Sequence, residues 1–112
     1  MARHTIKAGT LTIADSGTNA SSTISGRELE GADWCTIISP AHGVTVNPVV
    51  GADPDMTASA CAVVVDQFGD DVALIASKAT MFPCAGWRTI SVRAGSTVTG
   101  AQVFTVLLSV EM

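Results

Sequence analysis

Apolar and polar residues alternate along most of this chain with a period of two, which is the period of an extended strand and not of a helix. The closing segment, "AQVFTVLLSVEM", shows it most plainly, with Phe104, Val106, Leu108 and Val110 on one side. Val103 and Leu107 are apolar on the other side. A strand covered on both faces is therefore expected here, either central in a sheet or at an interface. "WRTISVR" sets Ile90 and Val92 against Thr89 and Ser91. Near the N-terminus, "TIKAGTLTIA" alternates in two registers, Ile6 with Ala8 and then Leu11 with Ile13. Gly9 lies between them and predicts a bulge or bend. "ADWCTIIS" reads as a strand stopped by Pro40, with Trp34 looking inward. "GVTVNPVV" reads as another, whose Pro48 has no hydrogen to give a ladder and so predicts an edge or a break.

The middle supports two readings. In "DPDMTASACAVVVDQFG", Asp53 as N-cap, Pro54 in the first turn and Gly69 as a stop spell a helix over 53–69. Against it, Val63, Val64 and Val65 form a β-branched triplet that suits a sheet. "QFGDD" then resembles a hairpin turn leading into a strand at "VALIA". Strand–turn–strand is the favoured reading. Seven or eight short antiparallel strands predict an all-β fold, a single β-sandwich or jelly-roll-like domain. Residues 23–112 are assigned to that domain, and residues 1–22 to an N-terminal arm or a first strand plus loop.

Composition sharpens the picture. The chain has 112 residues, one domain's worth, of which 47% are hydrophobic and only 14% charged, against about 25% charged in average soluble proteins. Mean hydropathy is +0.42. A surface built from Thr, Ser and Gly is cheap to desolvate, which suits a protein packed against neighbours. The net charge of −4 argues against nucleic acid as a partner, because phosphate binding needs a cationic face. No apolar run is long enough to span a bilayer, and "MARHTIKAGT" lacks the apolar stretch of a secretory signal. The expectation is a chain made in a reducing cytoplasm with Cys35, Cys61 and Cys84 as free thiols.

Candidate chemistry is sparse. His4 and His42 show no metal-ligand spacing with each other or with the cysteines. Cys84 has Arg88 and Lys78 nearby in sequence but reads better as a small buried hydrophobe, as do the other two. Asp53, Asp55, Asp66, Asp70 and Asp71 lack the ligand order of a calcium loop and read as turn carboxylates. No phosphate-binding loop, dinucleotide fingerprint or nucleophile elbow is present. The chain is expected to be no enzyme, with no catalytic residue, metal or cofactor.

The order "ISGRELEGADWCTIISP", "VVVDQFGDDVALIASKATMFPCAGWRTISVRAGS" and "AQVFTVLLSV" resembles the small β-sandwich virion structural proteins of tailed bacteriophages, capsid decoration (cement) proteins among them. The resemblance spans 24–110 and is one of texture, and homologous textures occur in tail and head-fibre domains. It implies a noncatalytic protein made in the host cytoplasm and placed on the virion surface. Its implied partners are the major capsid protein lattice and further copies of itself, a trimer being one arrangement, with neither nucleic acid nor membrane. The competing expectation is a carbohydrate-binding or host-adhesion sandwich. Ile6, Leu11, Ile13, Trp87, Arg88 and Arg93 are the candidate interface residues.

Overall fold

The alternation does fold as strands. A computed structural model describes the backbone of residues 3–18, 24–25, 32–51, 61–84 and 89–111, and side chains within 9–18, 32–51, 62–84 and 89–110. The elements in chain order are β1 (Arg3–Ile13), β2 (Ile24–Ser25), β3 (Trp34–Ile38), β4 (Val46–Gly51), β5 (Cys61–Val63), β6 (Ala79–Pro83), β7 (Thr89–Ala94) and β8 (Gln102–Glu111). They form two four-stranded antiparallel sheets, ordered β1-β8-β3-β6 and β2-β7-β4-β5. The pairings β1·β8, β2·β7, β3·β6 and β4·β5 are those of one long hairpin bent at β4–β5 and rolled up. That is jelly-roll topology.

The core lies between the sheets. Leu11, Ile13, Cys35, Ile37, Phe104, Val106 and Leu108 face inward from the first sheet, and Val46, Val50, Ile90 and Val92 from the second. β1, β3, β4, β7 and β8 contribute alternate residues to it, and β4 and β7 are buried on their other side too, at Val49, Thr89 and Ser91.

Two local expectations change and one is resolved. Pro48 is not on an edge, because β4 lies between β7 and β5, but the β4·β5 ladder breaks there, ending at Val49↔Val63, the other outcome its missing hydrogen predicts. Its carbonyl accepts from the Val64 N–H at 3.1 Å, so its nitrogen faces the same side, just beyond the end of β5. The Val64 carbonyl, which a residue with a hydrogen would have engaged, accepts from the Val72 N–H at 2.8 Å instead. The bulge falls between Thr5 and Lys7, at Ile6, and not at Gly9, which pairs regularly with Val106. "VALIA" builds no ladder: Leu74 makes only an isolated bridge to Val46.

The strand–turn reading holds over 61–71, where β5 leads through Val65 to a turn closed by a Val65·Asp71 bridge. Asp53, Pro54 and the rest of 52–60 lie outside the described residues. Of residues 1–22, Arg3–Ile13 is the first strand, paired with β8 from Arg3↔Glu111 to Ile13↔Gln102.

Candidate interaction surface

The register brings together a face that no single strand reveals. Because Leu11, Cys35, Ile37, Phe104 and Val106 point into the core, their neighbours in sequence point out. Thr10 pairs with Thr105, Thr105 with Ile38, and Ile38 with Ala79. One row along, Ala8 pairs with Leu107, Leu107 with Thr36, and Thr36 with Met81. Thr12 and Val103 flank these rows at one end, and Ser109, Trp34 and Pro83 at the other.

None of these positions carries a charge. The first charged residues in the same phase are the register pair Arg3 and Glu111 at the far end. Val103 is 48% exposed, Met81 46% and Ile38 43%. The central strand β8 is thus covered by the core on one side only. The second cover that Val103 and Leu107 lead one to expect is incomplete: Val103 is exposed, Leu107 half-buried and Ser109 buried. Four strands about 4.8 Å apart and five residues long give a flat footprint of roughly 300 Å2, below the roughly 800 Å2 per partner of a standard interface.

The residues marked from sequence fall elsewhere. Leu11 and Ile13 are fully buried in the core and offer no surface to a neighbour. They belong to β1, not to a free arm. Ile6 is the bulged residue of β1. Arg93 is half-buried on β7 opposite Asn47. Trp87 and Arg88 lie outside the described residues. Trp34 does not look inward: it is half-buried on the outer side of β3, out of phase with the core residues Cys35 and Ile37.

The other candidate side chains described include a turn carboxylate, a buried histidine and two buried thiols. Asp66 organises its turn, its Oδ1 accepting from the N–H groups of Phe68 (2.8 Å) and Asp70 (3.1 Å), while Gly69 takes the left-handed φ of 84°. Among the described residues no cluster of three metal-ligating side chains occurs. His42 is buried, with Nδ1 donating to the Val44 carbonyl at 2.8 Å and its ring 5.7 Å from that of Phe104. A cleft of about 620 Å3 is lined by His42 and Ser96 among others. The His42 Nε2 has no hydrogen-bond partner, so no Ser–His couple is assembled.

Cys35 and Cys84 are free and buried. Burial pushes the Cys35 thiol up to about 12, the neighbouring Cys84 adding to it. Burial, with Asp33 adding, pushes Cys84 up to about 11. Since only the thiolate attacks, both should react with an aromatic disulfide reagent at pH 8 at least about a hundredfold more slowly than free cysteine. Rapid modification of either in the folded chain would contradict the placement. The same shifts set an alkaline limit. Well below the ordinary thiol value of 9.0 both folded and unfolded thiols are protonated, so stability is unaffected. Above it the unfolded chain ionises first, and Cys35 costs about 1.4 kcal/mol of stability per pH unit until its folded value is reached.

No protein-family profile and no curated protein sequence matches the chain. Among solved structures, the SPBc2 prophage-derived protein YomS superposes with a TM-score of 0.54 at 11% identity, over 97% of this chain and 96% of that one. A Bacillus endospore appendage protein, from disulfide-linked pili, aligns with a TM-score of 0.40 at 13% identity, over 96% of this chain and 90% of that one. The chain is therefore a jelly-roll sandwich that shares its overall fold, end to end, with a prophage-derived protein.

Proposed function

We propose that the chain is a noncatalytic virion structural protein of a tailed phage, a decoration protein that binds the assembled shell through the outer face of the β1-β8-β3-β6 sheet. The observation that carries this reading is the uncharged face, with Val103, Ile38 and Met81 exposed on it. A face without charges loses little hydration on docking, so its apolar area counts nearly in full. The fold shared with a prophage-derived protein supports the phage context.

The small footprint makes each contact weak on its own. A homo-oligomer at a symmetry axis would engage several lattice subunits at once and gain by effective concentration. Binding the assembled state and not the loose subunits stabilises the shell by mass action.

The test is to titrate undecorated tailed-phage shells with purified protein and follow uptake by sedimentation. Uptake should saturate at a fixed stoichiometry and raise the temperature at which the shells open. Absence of saturable uptake, with the protein folded, would end the decoration reading.

A further inference from the structure

A second surface, which adjoins the shell-binding face at Met81 and Pro83 but rests on other observations, lies where the two sheets part. β6 is the end strand of its sheet. The Lys78 carbonyl accepts from Ser39 N–H at 2.9 Å, and the Cys84 N–H donates to the Asp33 carbonyl at 2.9 Å. Residues of even number therefore bond toward β3, and by the antiparallel alternation Ala79, Met81 and Pro83 turn their backbone groups away from it. The N–H and carbonyl groups of Ala79 and Met81, and the Pro83 carbonyl, meet no strand among the described residues. Such an edge is a template for an added strand.

Beside this edge runs a groove of about 520 Å3 lined by Val65, Val72, Met81, Phe82 and Pro83, with Asp66 as its one charged wall. Phe68 stands next to it on the same turn, 78% exposed, its N–H donating to Asp66 Oδ1, which the Asp70 N–H also engages. Asp66, Asp70 and Asp71, on the same turn, are all exposed. The groove is thus apolar inside and anionic at its rim. A second copy would bring the same carboxylates against these, so charge disfavours self-pairing here and favours a cationic occupant.

We infer that this groove docks an extended segment of a partner protein that is apolar at alternate positions and basic between them, and that the segment joins β6 as an added strand. Backbone pairing along Ala79 and Met81 gives direction, the groove takes an apolar side chain, and Lys or Arg meets the Asp rim. Pro83, with no N–H, confines the pairing to the first half of β6.

The experiment is selection from a random peptide library on the immobilised full-length chain. Recovered peptides should be rich in Lys, Arg and β-branched or aromatic residues and poor in Pro, Asp and Glu. A synthetic peptide of the recovered consensus should protect the Ala79 and Met81 region from amide exchange. Its affinity should fall about tenfold or more with Val65→Asp, as for loss of a central anchor, fall as salt is raised, and fall with Asp70→Asn combined with Asp71→Asn. Val103→Lys, on the outer face, should leave it unchanged. Recovery of acidic peptides, no enrichment at all, or binding insensitive to Val65→Asp would overturn the inference while leaving shell uptake untouched.

Discussion

Replacing Phe104 with alanine should lower folding stability by about 3–5 kcal/mol. Phe104 sits in the middle of the sandwich on β8, flanked by β1 and β3, fully buried and against the His42 ring. Truncation removes the transfer energy of the ring and leaves a cavity that close-packed strands on both sides cannot collapse into. Against a typical stability of about 5–15 kcal/mol, the melting midpoint should drop by roughly 12–20 °C at about 4 °C per kcal/mol. Thermal denaturation followed by circular dichroism measures it. A loss below about 1 kcal/mol would mean that Phe104 is not at the heart of this core.

A lysine placed in the neutral face should remove shell uptake while leaving the fold intact. Thr36 lies at the centre of that face, between Leu107 and Met81. In the free chain a lysine there keeps its stem on the apolar neighbours and its ammonium in water, so stability should change by less than about 1 kcal/mol. Docked against a lattice, the same ammonium is desolvated without a partner, which costs several kcal/mol. Uptake at a given concentration should fall a hundredfold or more, about 3 kcal/mol. Val103→Lys, at a more exposed site, should behave alike and guards against a local folding defect at residue 36. Equal uptake by both variants would move the contact elsewhere.

Much of the fold is legible in the sequence because a half-buried strand writes its burial as alternation. The core-facing phases of β7 and β8, Ile90 with Val92 and Phe104 with Val106 and Leu108, match the alternation, although Thr89 and Ser91 opposite are buried too. The all-β class follows from many short strands without helix. Where legibility fails, the reasons are specific. Trp34-Cys35-Thr36-Ile37-Ile38 is apolar in both phases, so nothing in the pattern says which phase looks inward. Pro48 advertises a missing hydrogen but not the side on which it is missing. Gly9 is conformationally free, yet the bulge sits at Ile6, where β1 must stay in register with β8 on both sides of an extra residue. Leu11 and Ile13 read as arm contacts only if the segment stands apart, and pairing with β8 puts them in the core.

The candidate surface was beyond the pattern altogether. It is assembled from strands as distant in sequence as β1 and β8, and only their register shows that the outward positions share a lack of charge. The Phe68 turn is different. Val65, Phe68 and the Asp residues around them are visible as a tip in the sequence, and what was missing was the neighbouring edge of β6.

The sharpest check is hydroxyl-radical footprinting of Trp34, Ile38 and Val103 in the free chain and in chain bound to undecorated shells at saturation. Shell binding through this sheet predicts that all three lose reactivity, while Phe68 on the far turn stays as reactive as before. Saturated shells on which Trp34, Ile38 and Val103 react as they do in the free chain would contradict it.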